Sequence, residues 1–291
     1  MSIVIRDVVA RDGLQGERPV DVGERVELVR RLAATGLTDI EVAAFVSPKA
    51  VPAMAGAADV VHRVAQEFPG VHLWALVPNA KGAELAQEAG VERLTITVSA
   101  SQRYSHKNTN MSRDEALAQL GAIRRAAPDA LCDLVISFAF GSAYEDETIT
   151  PGDVAAIAER AASEGIDQVT LADTTGVATP RRVDDVLAAT GTGVGLHLHD
   201  TRGTALLNAW IAIDHGVRRF DTALGGLGGS PFAPTAGGNL ATEDLVAVLD
   251  DAGIDTGIDL QALVAVGPYL RSLVGHDIPS RVAAALTAGS Q

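Results

Sequence analysis

Cysteine, positive charge and long apolar runs are all scarce in this chain, and each shortage excludes something. Its 291 residues include a single cysteine, Cys132, so no internal disulfide can form. That usage fits a reducing cytoplasm. Cys132 lies within an apolar stretch and reads as core packing rather than as a reactive thiol. No apolar run approaches the ~20 residues that cross a bilayer, so no membrane span is expected. The opening MSIVIRDVVARDG carries charges within its first dozen residues and has no signal-peptide pattern, so no secretory leader is expected. Lys and Arg number 23 against 37 Asp and Glu, for a formal net charge of −14. That balance argues against nonspecific nucleic-acid binding or an anionic membrane surface. It leaves room for an anionic small ligand held by local basic residues.

What the chain does have is a repeat. It reads TGLTDIEV from Thr35, AGVERLTI from Ala89, EGIDQVTL from Glu164 and HGVRRFDT from His215. A helical pattern precedes each copy, the glycine stops the helix, and a buried strand follows. Eight candidate strands result: IVIRDVV from Ile3, DIEVAAF from Asp39, HLWALVP from His72, RLTITVSA from Arg93, ALCDLVISFAF from Ala130, QVTLADT from Gln168, GVGLHLHD from Gly193 and RFDTALG from Arg219. Strict strand–helix alternation implies parallel strands with crossover helices. Eight units favour a closed (β/α)8 TIM barrel. An open doubly wound sheet is the alternative, but no GxGxxG opens a first helix. No Pro/Ser-rich linker divides the chain. One domain over 1–291 is therefore expected, with the barrel to about residue 252 and a helical extension over about 253–291.

Barrel active sites form at the C-terminal ends of strands. Arg11 and Asp12 fall there after strand 1, Glu41 on strand 2, Asp173 after strand 6, and His197 and His199 on strand 7. Two positions apart on a strand, both imidazoles face one side. They read as a metal pair or as satisfied interior histidines. Strand 8 leads into GGLGGSPFAPTAGGN, from Gly225 to Asn239, which holds six glycines and Ser230. Closure puts strand 8 beside strand 1, so Asp12, His197, His199 and Asn239 come from three adjacent strands. Two nitrogen and two oxygen ligands suit Mg²⁺ or Mn²⁺; closed zinc sites prefer tetrahedral nitrogen and sulfur. Asp200 reads either as a carboxylate orienting a histidine or as a helix N-cap. Trp74 and Trp210 read as core or helix-packing residues.

These motifs resemble 3-hydroxy-3-methylglutaryl-CoA lyase and its wider group of metal-dependent carbon–carbon lyases and Claisen-type barrels. The likeness covers nearly the whole chain: RDGLQGE from Arg11, IEVAAFVSPKAVPAMA from Ile40, LADTTGVATP from Leu171, GLHLHDTRG from Gly195, and GLGGSPFAPTAGGNLATEDLV in the loop that opens at Gly225. The resemblance implies the same four ligands, a catalytic Arg11, and functional acidic positions at Glu41 and Asp173. It implies cleavage of a tertiary 3-hydroxyacyl-CoA to acetyl-CoA and a keto acid, with Arg11 stabilising the thioester enolate. Three departures stand out. Ser230 replaces the cysteine taken to protonate that enolate, Gly141 opens GSAYEDE where the family tends to read GCPYEG, and Gly16 stands where the family often has Asn. A related lyase or condensing enzyme on another hydroxyacyl-CoA or keto acid is the alternative, and a binding protein without turnover is a third reading. Gln15, Arg18, Lys49, Arg103, His106, Lys107 and Arg202 lie in or near predicted strand-to-helix loops and are candidates for substrate or CoA contacts. A homodimer through the C-terminal helices is a further expectation.

Overall fold

A computed structural model describes residues 2–229 and 237–288. Eight parallel strands close into a barrel in simple sequence order: β1 (Val4–Asp7), β2 (Asp39–Ala44), β3 (His72–Leu76), β4 (Arg93–Ser99), β5 (Leu131–Ser137), β6 (Gln168–Ala172), β7 (Gly195–His197) and β8 (Arg219–Thr222). β8 pairs with β1 from Val4↔Arg219 to Asp7↔Thr222, which closes the ring. The chain is a TIM barrel, as its alternation predicts.

The repeat owes its glycine to backbone geometry. Gly36, Gly90, Gly165 and Gly216 have φ of 97, 87, 79 and 108°, the left-handed region that ends a helix cheaply only without a Cβ. Helix starts are equally explicit. Asp21 and Glu24 form a reciprocal capping box on the helix Val22–Ala33, and Thr150 and Asp153 do so on Pro151–Ser163. Outward-facing strand residues such as Ile5, Ile40, Leu94, Leu134, Leu171, Leu196 and Phe220 are buried under the helices and form the main core. The barrel interior is different. It holds Arg6, Glu41, Trp74, Thr95, Asp133, Thr170 and Asp221, all buried.

Every strand is shorter than its pattern, and β1 and β7 show why. β1 stops at Asp7, and Val9–Gly13 forms a π-helical turn in which the Val8 carbonyl accepts from the amides of Arg11, Asp12 and Gly13. β7 stops at His197; His199 pairs instead, antiparallel, with Asn239. Beyond the barrel, the helix Leu260–Val274 packs on Val22–Ala33, and Arg281–Ala288 packs on Thr242–Asp251. Trp74 is buried as expected. Trp210 is not: it is 43% exposed. The helix Ala205–His215 turns Ala205, Asn208, Ala209, Ala212 and Ile213 inward, and that spacing sends Trp210 to the opposite face. No helix among the described residues is long and apolar enough to cross a membrane.

Candidate active site

Backbone placement at the barrel mouth comes first. The π-helical turn after β1 folds Arg11 and Asp12 back over the strand end. The far side of the glycine loop returns to β7 and β8: Leu240 N–H donates to Leu198 O at 2.8 Å, and Ala223 N–H to Leu240 O at 3.0 Å. These bonds seat Asn239 between the two strands. The return is so tight that a Cβ on Gly228 would lie 2.3 Å from Asn239 Nδ2 and 2.7 Å from Asp12 Oδ2. Only glycine fits there.

The side chains then converge. Asp12, His197 and His199 are all buried, with one ligand atom of each within 4.8 Å of the others. His197 Nε2 and His199 Nε2 are 3.1 Å apart. Adjacent ligands of an ion at about 2.1 Å lie about 3.0 Å from each other, so the pair suits a shared cation. Asn239 Nδ2 donates to Asp12 Oδ2 at 2.7 Å and to Leu227 O at 2.8 Å, which turns Oδ1 the other way. That Oδ1 is buried and has no hydrogen-bond partner among the described residues. A buried acceptor left open is costly unless a cation or water fills it. Three oxygen and nitrogen ligands plus this orphan oxygen thus fit a divalent ion.

Electrostatics points the same way. Burial resists ionisation of Asp12, but Arg11 and the two histidines outweigh it and hold the carboxyl below its usual range. Burial also resists charge on His197, yet Asp221 raises its pKa overall. Burial and the neighbouring His197 push His199 down to about 4. His199 is therefore a neutral imidazole near pH 7, the form that ligates metal. Asp221 Oδ2 accepts from His197 Nδ1 at 3.1 Å, which leaves Nε2 free to face His199.

Arg11 lies beside this cluster. It donates to Asp12 Oδ1 at 2.7 Å and to Glu41 Oε2 at 2.6 Å, and all three side chains are buried. Glu41 Oε1 is buried and has no hydrogen-bond partner among the described residues. Gln15 Nε2 donates to Asp12 Oδ1 at 2.8 Å, so it contacts a candidate ligand directly.

Other expected residues go elsewhere. Asp173 accepts from the amides of Val177 (2.8 Å) and Ala178 (3.1 Å), anchoring its own loop, and burial lifts its pKa to about 6. Asp200 accepts from Ala205 N–H at 3.0 Å at the start of Ala205–His215. It is a helix-start residue, and the orienting of a histidine falls to Asp221 instead. Arg18 is spent on the carbonyls of Leu273 and Ser272. Lys107 and Arg103 lie over the Tyr144 ring at 5.1 and 4.7 Å, and Arg103 also pairs with Asp146. Lys49, His106 and Arg202 are exposed. Within GSAYEDE, Ser142 Oγ donates to Glu147 Oε2 at 2.8 Å. Ser230 lies outside the described residues.

Comparison with known proteins now bears on this geometry. The HMGL-like family profile matches residues 2–269. The chain belongs to that family. It is 39% identical over 297 residues to hydroxymethylglutaryl-CoA lyase of Pseudomonas mevalonii, covering 99% of this chain and 98% of that protein. It is 38% identical over 301 residues to (R)-citramalyl-CoA lyase of Chloroflexus aurantiacus, covering 97% and 94%. A solved HMG-CoA lyase from Acinetobacter baumannii, in complex with coenzyme A and 3-methylmalate, superposes with a TM-score of 0.91 at 38% identity, covering 97% of this chain and 94% of that one.

Two buried carboxylates behind the glycine loop escaped sequence reading. Asp7 accepts from the amides of Val9 and Leu224 at 2.8 Å and from Thr242 Oγ1 at 2.6 Å. Glu243 accepts from Gly225 N–H with both oxygens, at 3.1 and 2.9 Å. Burial, with Asp7 and Asp244 adding to it, pushes Glu243 up to about 8. Asp7 is likewise raised by burial to about 6. A carboxyl whose folded pKa exceeds its unfolded value stabilises the fold at low pH and loses that contribution as pH rises through the folded pKa. Between pH 6 and pH 8, Glu243 should therefore make stability fall as pH rises, by roughly 1 kcal/mol per pH unit. Urea midpoints of wild type should fall over that range, and Glu243→Gln should flatten the fall. Identical slopes in the two proteins would show that Glu243 is ionised in the fold throughout.

Proposed function

We propose that this chain is a divalent-metal-dependent lyase that cleaves a 3-hydroxy-3-methylglutaryl-CoA-like 3-hydroxyacyl-CoA to acetyl-CoA and a keto acid. The observation that carries the reading is the meeting of Asp12, His197, His199 and the open Asn239 Oδ1 beside a buried Arg11 at one barrel mouth. The names of two relatives narrow the acyl group to a branched 3-hydroxyacyl-CoA with a terminal carboxylate.

The reaction runs backwards through a Claisen-type addition. The tertiary hydroxyl loses its proton, the bond between its carbon and the acetyl carbon breaks, and the electron pair moves into the thioester as an enolate. That carbon then takes up a proton. Asp12, His197, His199 and Asn239 would hold Mg²⁺ or Mn²⁺, which when bound polarises the substrate oxygens and favours loss of the hydroxyl proton. Arg11, fixed by Asp12 and Glu41, places a permanent cation where enolate charge develops. Glu41 keeps one oxygen on Arg11 and the other without a hydrogen-bond partner among the described residues, so we assign it the role of proton acceptor. Asp173 supports this site by holding the loop after β6. Gln15 steadies Asp12, and we assign CoA contacts to the exposed Lys107 and Lys49. We read residues 1–291 as one such domain, working in the cytoplasm. We keep a homodimer through the C-terminal helices as part of this reading.

Product analysis with 3-hydroxy-3-methylglutaryl-CoA and citramalyl-CoA, with and without chelator, tests the function. Acetyl-CoA from neither substrate in metal-loaded protein would refute it. Ser230 adds a sharper arm. A thiol has a pKa of about 8.5, and a serine hydroxyl is a far weaker acid. If Ser230 occupies the proton donor's place, enolate protonation limits the rate. Ser230→Cys should then speed cleavage of 3-hydroxy-3-methylglutaryl-CoA, each tenfold gain being ~1.4 kcal/mol at the transition state. An unchanged or lower rate, with metal content and folding verified, would assign the native reaction to a different acyl group.

A further inference from the structure

Below the histidines, the barrel interior holds an arginine that no step of the reaction uses. Arg6 on β1 is 5% exposed. It forks onto Asp221, Nε to Oδ1 and Nη2 to Oδ2, both at 2.8 Å. Nη2 also lies 2.9 Å from Asp133 Oδ2, which accepts from Thr170 Oγ1 at 2.8 Å. The guanidinium carbon sits 4.4 Å from the centre of the Trp74 ring. Trp74 is itself fixed, its indole N–H donating to Asp39 Oδ1 at 2.8 Å. The arginine is thus held by side chains from β3, β5 and β8.

We propose that Arg6 is a positioning residue for His197, acting through Asp221 to aim Nε2 at the bound ion. The inference rests on reading the histidine pair as a metal site. Asp221 Oδ2 receives both Arg6 and His197 Nδ1. A planar fork with two parallel bonds fixes a carboxylate in plane as well as in position. The carboxylate in turn fixes the tautomer and tilt of the imidazole. A lysine offers a point charge but no fork, so it would neutralise Asp221 without orienting it. A simple buried ion pair would need only the charge.

The test uses Mn²⁺ alone, with no substrate. Free Mn²⁺ is titrated by its paramagnetic resonance against wild type, Arg6→Lys and the double variant Arg6→Met with Asp133→Asn, which keeps the net charge of the cluster. Arg25→Lys serves as a control. Arg25 is a buried arginine bonded only to the carbonyls of Ala55 and Val42 among its described partners, and to none of the candidate ligands or Asp221. Both Arg6 variants should bind Mn²⁺ about 10–100-fold more weakly, the usual loss when a ligand's outer partner goes. Arg25→Lys should lower the melting temperature and leave Mn²⁺ affinity unchanged. Wild-type affinity in either folded Arg6 variant would overturn the proposal. Nitrogen NMR of metal-free wild type gives a reading that needs no variant. His197 should carry a proton on Nδ1, and an Nδ1 without one would overturn the orientation. Should wild type fail to bind Mn²⁺ at all, the metal reading falls, while the tautomer still decides whether Arg6 and Asp221 set the ring.

Discussion

His197→Ala and His199→Ala should each strip the protein of its divalent ion and lower turnover by more than ~10²-fold, a larger loss than removal of an outer partner brings. The two imidazoles present nitrogens 3.1 Å apart, and each variant leaves Asp12 with one nitrogen partner instead of two. Folding should survive. His197→Ala keeps the Arg6–Asp221 fork, and among the described residues His199→Ala loses only contacts with His197 and the Gly237 backbone. Elemental analysis after gel filtration, alongside melting curves, measures both effects. His215→Ala is the control, since His215 is an exposed partner of Asp184; it should keep the ion. Metal content equal to wild type in both active-site variants would remove the histidines from the ligand set.

The fold and the candidate ligand set were legible because each rests on local rules. Positive-φ glycines and period-two alternation repeat along the chain, so they mark strand after strand without knowledge of contacts. His197 and His199 follow from two-residue spacing, and barrel closure brings Asp12 and Asn239 to them. The residues that were missed or misplaced depend on partners far away in sequence. Arg6 pairs with Asp221 across 215 positions, and Arg18 meets Leu273 across 255. An arginine in a strand pattern reads as an exposed or rim charge until the interior register puts Asp221 and Asp133 beside it. Strand 1 ran short because three amides gather on the Val8 carbonyl while Asp7 is bonded to Leu224 and Thr242. Asp200 and Asp221 were both acidic residues near the histidines. Only the register His197↔Asp221 tells which one touches the ring.

Arg11→Met should cut kcat by ~10²–10³-fold with little change in KM, because a fixed donor aimed at developing charge acts mainly in the transition state. The arginine is costly to keep there. It is buried and shares itself between Asp12 at 2.7 Å and Glu41 at 2.6 Å. Removing it leaves two buried carboxylates facing a gap, and breaking such a network costs roughly 3–5 kcal/mol. Lost stability could therefore be mistaken for lost catalysis. Arg11→Lys separates the two. The ammonium keeps a positive charge between Asp12 and Glu41, so melting temperature and Mn²⁺ content should stay near wild type. It cannot bond both carboxylates in the same fork and reach the substrate with the same geometry, so kcat should still fall by at least ~10-fold. Rates are to be measured at saturating metal on protein whose folding has been checked at the assay temperature. Near-normal kcat in metal-loaded Arg11→Lys would mean that charge alone suffices. Near-normal kcat in Arg11→Met would remove Arg11 from the chemistry and leave it as a counter-ion for Asp12 and Glu41.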